Sequence, residues 1–235
     1  DGPIDTPGYQ FQPTILAQIP TLSNKGVAQR VVRVQEGDQV IGTDNDWTGT
    51  LAPGVRVYNA AGEAVTFEGD VVTMTQTVVT FTLRTDVTWA DGHPLTAADS
   101  IYAFQLVKGL DTALPPHAQL LRDRTLAYEA IDEHTIVWRS VPGYQDTFYF
   151  YSFPLQNSYV QNFYSPLPQH VMQLTDGERL LDSEQIHRQP LGWGPFVIER
   201  WEAGQSITLV RNPHYYRSGE GLPYLDRVTF RFVAG

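Results

Sequence analysis

The six histidines, His93, His117, His134, His170, His187 and His214, are the first candidates for metal or acid–base chemistry. None stands in an H-E-x-x-H pair or at another close ligand spacing, so they read as surface or hydrogen-bonded imidazoles. Residues 44–49 (DNDWTG) reproduce the first six positions of a calcium-binding loop. Its twelfth position falls on Val55, where the ion needs a bidentate carboxylate, so the stretch reads as an acidic turn. The 26 Asp and Glu residues offer many carboxylate pairs that a glycosidase could use, and none is singled out. There is no G-x-S-x-G elbow and no phosphate-cradling loop. Gly192-Trp193-Gly194 lacks the third glycine and the helix of a dinucleotide fingerprint. No catalytic residue, metal ligand or cofactor is assigned.

One cluster departs from the average. Tyr144, Phe148, Tyr149, Phe150, Tyr151, Phe153, Tyr159, Phe163 and Tyr164 all lie between positions 144 and 164. Neighbouring residues of a strand point to opposite faces, so a core strand has no use for so many adjacent rings. Some of them are expected to face solvent, a partner or a ligand. Tyrosine suits a binding wall, since it offers a flat apolar face and a hydroxyl at its edge. Packing between two subdomains is the alternative. Trp193, held between two glycines before Pro195, is expected to project from a sharp bend.

The elements that must position these residues are mostly strands. Residues 31–34 and the alternating run 77–84 (TVVTFTLR) are predicted strands. Three hairpins are predicted: 55–58 with 64–67, 126–131 with 135–139, and 196–201 with 206–211. Residues 228–233 form a last strand. The clearest helix covers 96–108, with Thr96 as N-cap and Asp99 three residues on, as in a capping box. Its apolar face is read as Ala97, Ile101, Phe104 and Val107. A short helix opens at Pro168. With no regular βαβ alternation, the fold class is α+β.

The chain has 235 residues and a formal net charge of -10, which disfavours a nucleic-acid partner. There are no cysteines, so disulfides and thiolate sites drop out. No apolar stretch approaches the ~20 residues that span a bilayer. No signal peptide is visible, so an exported protein would already have lost it.

Several segments carry a family resemblance. Residues 87–100 (VTWADGHPLTAADS) resemble the W-x-D-G-x-P-L-T-A-x-D segment of the family 5 extracellular solute-binding proteins, the oligopeptide, dipeptide and nickel-binding group. Residues 191–196 (LGWGPF) are similar to that family's G-T-G-P-Y turn, and 211–216 (RNPHYY) to its R-N-P-x-Y-W. Residues 222–228 (LPYLDRV) match its P-Y-L-D-x-I, and 165–170 (SPLPQH) its P-x-H element. Residues 11–17 (FQPTILA) resemble its P-x-L-A start more loosely. Order and spacing agree over residues 87 to 233. Trp193 stands where the family usually has Thr, and Tyr216 where it has Trp.

The resemblance implies a β-rich mixed subdomain of a type II periplasmic-binding-protein-like fold. Residues 1–235 would be a fragment of the first lobe, comprising its peripheral subdomain and part of the core sheet, with the second lobe absent. Residues 30–76 would be a β-rich insertion relative to shorter members. The implied function is the substrate-binding component of an ABC importer, located outside the cytoplasmic membrane as a periplasmic protein or an anchored lipoprotein. Its partners would be a peptide or similar small solute, the permease subunits and the second lobe. No reaction is implied. The cleft contacts from this half are expected from Tyr144, Tyr151, Phe153, Phe163, Tyr164 and Trp193. A hydrolase using paired carboxylates and a cell-surface β-rich adhesion module remain the alternatives; a cleft with two carboxylates would mark the first, and a flat apolar patch the second.

Overall fold

Ile136, Trp138 and Ser140 are buried while their neighbours in the strand are only half-buried. That period of two fixes which face of the strand meets the core. The structure, a computed structural model, describes residues 4–5, 12–43, 47–110, 116–144, 163–175, 179 and 183–233. The chain divides into two compact units, one of Gly2–Leu83 with Thr112–Tyr164, the other of Arg84–Asp111 with Ser165–Gly235.

The first unit begins with a short pair, β1 (Ile4–Asp5) and β2 (Gln12–Pro13). Its main element is a four-stranded antiparallel sheet built from β3 (Val27–Val34), β8 (Val72–Thr82), β9 (Thr125–Ala130) and β10 (Thr135–Ser140), in the order β3-β8-β10-β9. Val27 pairs with Val79 and Val34 with Val72, so β3 and β8 run as one long ribbon. β3 starts four residues and β8 five residues before the predicted limit, and β8 ends two residues short of it, because the ladder between the two strands and not local sequence sets their ends.

Between β3 and β8 lie two small hairpins. β4 (Gln39–Ile41) pairs with β5 (Thr48–Thr50), and β6 (Arg56–Tyr58) with β7 (Ala64–Thr66). Their inward residues Val40, Leu51, Val57 and Phe67 close over Val34 and Met74 as a single apolar cluster. Gly143 approaches this cluster at a φ of 89°. That φ favours glycine, and a Cβ there would also stand 3.0 Å from the Ile41 carbonyl oxygen. The helix α2 (Pro116–Asp123) leads into β9. It was not predicted from sequence, although Pro116 takes the first helical position that proline favours.

The second unit holds α1 (Ala97–Lys108), the single-turn helices α3 (Gln169–Met172) and α4 (Glu184–His187), and a three-stranded antiparallel sheet. That sheet has the order β11 (Phe196–Glu202), β12 (Ser206–Arg211) and β13 (Arg227–Arg231). β13 ends two residues short of the predicted limit. The expected box at the start of α1 is present, with Asp99 Oδ2 accepting the Thr96 N–H at 3.0 Å. The buried face differs from the predicted one. Ala97 is buried as predicted, but Asp99, Ser100, Tyr102, Ala103 and Leu106 turn inward with it, while Ile101, Phe104 and Val107 are only half-buried. The reason is tertiary: Tyr102 and Leu106 pack on Met172, and the Tyr102 hydroxyl takes the Leu174 N–H at 2.7 Å.

Candidate functional site

Asp99 is the residue around which the second unit is organised. Its side chain is buried, and three residues donate to it. The Thr96 N–H at the start of α1 and Trp89 Nε1 reach Oδ2 at 3.0 and 3.3 Å, and the Gln169 N–H of α3 reaches Oδ1 at 3.3 Å. Its main-chain carbonyl accepts the Leu167 N–H at 3.2 Å. A buried carboxylate survives only when donors replace its lost hydration, and here two come from its own 87–100 segment and one from Gln169, 70 residues on.

Trp89 joins the same array. It is almost fully buried, and Trp193 meets it edge-on, with ring centroids 5.2 Å apart at 66°. The Ala90 N–H donates to the Gly192 carbonyl at 2.9 Å, which ties the W-A-D-G turn to the G-W-G bend. Asn212 then fixes the bend from the other side. Its Nδ2 donates to the Gly194 carbonyl at 2.8 Å, and its main-chain N–H to Pro195 O at 2.9 Å. The Thr88 hydroxyl reaches the His214 carbonyl at 3.3 Å. Trp193 is thus pinned by backbone bonds on both flanks.

Asp91, His93 and His170 form the polar rim of this array. His170 Nε2 lies 2.8 Å from Asp91 Oδ2, and the His93 ring stacks on His170 at 4.0 Å and 15°. Burial pushes the Asp91 carboxyl up, but the His93 N–H and the His170 ring outweigh it and hold the group below the ordinary aspartate range. The ionised carboxylate only accepts, so His170 carries its proton on Nε2. Its Nδ1 is buried and has no partner among the described residues, and the same holds for Trp193 Nε1. Among the described residues no three His, Cys, Asp or Glu side chains converge as a metal site. The arrangement offers fixed rings and oriented donors.

The residues expected at a cleft wall fall in both units. Trp193 belongs to the array just described and is 7% exposed, so it is buried against Trp89 and does not project from the bend as expected. Tyr144, Phe163 and Tyr164 belong to the first unit, where all three are buried. Tyr144 packs edge-on against Trp138 at 6.1 Å, beneath the Arg124 guanidinium. Phe163 meets Phe81 at 5.0 Å, and Tyr164 meets Tyr128 at 4.9 Å. The outward-facing wall read from the sequence is therefore corrected for these rings, because protein groups already cover their faces. Tyr151 and Phe153, with most of the aromatic cluster, lie outside the described residues. Sequence reasoning placed Asp99 only as a cap, read His93 and His170 as surface or hydrogen-bonded imidazoles, and gave Asp91 no role of its own. The signal was the 87–100 segment itself, which carries two aspartates and a histidine around one turn and one helix start.

Residues 68–235 match the family described as bacterial extracellular solute-binding proteins, family 5 middle. The oligopeptide-binding protein AppA of Bacillus subtilis is 27% identical over 157 residues, covering 64% of this chain and 25% of its own. A probable D,D-dipeptide-binding periplasmic protein of Escherichia coli is 27% identical over 226 residues, covering 87% of this chain and 41% of its own. The chain therefore spans between about a quarter and two fifths of these relatives' lengths. Among solved structures, the Bacillus AppA complex with a nonapeptide superimposes with a TM-score of 0.54 at 25% identity, over 66% of this chain and 28% of that one. The Thermus thermophilus oligopeptide-binding protein, complexed with a pentapeptide, gives a TM-score of 0.59 at 20% identity, over 99% of this chain and 35% of that one. The fold is that of the type II periplasmic binding proteins.

Proposed function

Because the chain belongs to family 5 of the bacterial extracellular solute-binding proteins, we propose that it supplies part of one lobe of a longer protein that captures peptides outside the cytoplasmic membrane and hands them to ABC permease subunits. The observation that carries this reading is the convergence of the resembling segments. Residues 87–100, 165–170, 191–196 and 211–216 are scattered over the sequence, yet they meet around Trp89, Asp99 and Trp193. Relatives and structural neighbours named for peptide binding support peptides as the solute class.

Within this reading Trp193 contributes to solute choice. It replaces the family's usual small hydroxyl residue with a rigid ring, and its indole N–H has no acceptor among the described residues. A peptide carbonyl matches that donor in chemistry. The second lobe supplies the opposite wall, and burial between two walls is what makes a small ligand bind tightly.

The test is isothermal titration calorimetry on the longer protein that carries this chain, with mixed penta- to nonapeptides. Micromolar, saturable heat is expected there, and none below ~1 mM for residues 1–235 alone. Trp193→Phe in the longer protein should weaken peptide binding about tenfold, the loss of one hydrogen bond. A longer protein that retains no peptide from the mixture would sink the proposal.

A further inference from the structure

Trp47 is 41% exposed, yet its ring is held in place. It immediately precedes β5, and the Gly42 N–H donates to its carbonyl at 3.1 Å. The ring lies across the hairpin on two glycines. A Cβ on Gly49 would stand 2.3 Å from Trp47 Cζ2, and one on Gly42 would stand 2.9 Å from Cε3. These atoms sit on opposite sides of the six-membered ring, so any side chain at either position would lift the indole off the ribbon. The ribbon itself is anchored, because Val40, Ile41 and Leu51 are fully or almost fully buried. One face of the indole is thus seated on backbone.

Beside this ring opens a cleft of about 450 Å³, lined by Gly42, Thr43, Trp47, Val55 and Arg56. The Thr43 N–H donates to the Arg56 carbonyl at 3.1 Å, which locks the two hairpins together at its edge. That volume lies within the range of small-ligand sites, about 300–1,000 Å³. The lining brings the Trp47 ring together with Val55 and with Thr43 and Arg56, the two lining residues that carry polar side chains, and it belongs wholly to the first unit. None of the segments that carry the family resemblance contributes to it.

We propose that this cleft is a carbohydrate-binding site, with Trp47 as the stacking platform for one sugar ring and Arg56 and Thr43 as its polar contacts. A pyranose presents a flat C–H face ringed by hydroxyl groups. The indole takes the face, and the guanidinium and hydroxyl at the rim take the oxygens. The chain's net charge of -10 disfavours nucleotides and polyanionic glycans, which leaves neutral saccharides as the class. A pre-set ring loses little conformational freedom on binding, which is the advantage of seating it on two glycines.

The site is independent of the peptide reading and is tested without it. The five tryptophans give five indole ¹⁵N–H signals, and residues 1–235 are titrated with neutral hexasaccharides of the α-glucan, β-glucan, mannan and chitin types. Saturable movement of the Trp47 signal with one of them is expected, at millimolar affinity. Trp47→Ala should weaken binding at least about tenfold, and Gly49→Ala, which keeps the indole but displaces it, should do the same. The other indole signals report whether each variant is folded. No movement of the Trp47 signal at ~20 mM sugar, or binding that survives Trp47→Ala in a folded protein, would overturn the proposal. So would an equal response to an alanine pentapeptide.

Discussion

Trp138 and Trp193 are both buried tryptophans that meet another aromatic ring edge-on, one in each unit. They differ at a single atom. Trp138 Nε1 donates to the Thr125 hydroxyl at 2.9 Å, and that hydroxyl in turn donates to the Leu121 carbonyl at 2.8 Å and lies 3.3 Å from the Tyr164 hydroxyl. Trp193 Nε1 has no acceptor among the described residues. A closed hydrogen-bond network belongs to a ring whose work is packing. An unused buried donor belongs to a ring whose partner comes from elsewhere, since proteins rarely leave such a group unpaired.

The largest consequence is in stability. Trp138→Ala should cost about 4 kcal/mol, because it empties a fully buried ring volume and leaves the Thr125 hydroxyl without its donor. Urea unfolding followed by the far-ultraviolet signal measures it. A loss under about 1 kcal/mol would mean that the first unit does not depend on this network.

Tyr164 gives the next effect. Burial pushes its phenol up from 10.0 to about 12, with the Thr125 contact and the charges of Arg122 and Asp123 as smaller influences. The folded state therefore favours the neutral phenol. That contribution is complete below pH 10 and is lost as pH rises from there through 12. The parent protein should lose about 3 kcal/mol more than Tyr164→Phe across that window. Parallel alkaline stability curves for the two proteins would show that the phenol is not sequestered.

The smallest expected effect is the most discriminating. Trp193→Phe should change stability by within about 1 kcal/mol, because no hydrogen bond is lost with the indole nitrogen and the edge contact with Trp89 is largely kept. A cost of about 2 kcal/mol or more in chemical denaturation would show that the N–H is satisfied within the chain. Trp193 would then be a packing residue like Trp138.

Much of the local structure was legible beforehand. All three predicted hairpins form, because period-two alternation and turn-forming residues act between neighbours. The capping box of α1 was equally local. The face that α1 buries was not legible, since Ile101 and Phe104 are as apolar as Leu106 and only Met172 and Leu174, far along the chain, settle which row turns inward. The aromatic cluster misled for the same reason. Tyr144, Phe163 and Tyr164 look surplus within their own segment, and their partners Trp138, Phe81 and Tyr128 sit on strands elsewhere in the chain.

By itself the sequence determined three hairpins, the capped helix α1 and the family to which the chain belongs, all of which follow from short-range patterns and motif order. It also set the types of side chain around residues 87–100. Only the tertiary structure decided that Asp99 also takes donors from Trp89 and Gln169, and that the Trp193 N–H has no acceptor among the described residues. Burial and hydrogen-bond satisfaction depend on contacts between distant segments, and one-dimensional spacing carries no record of which of them will meet.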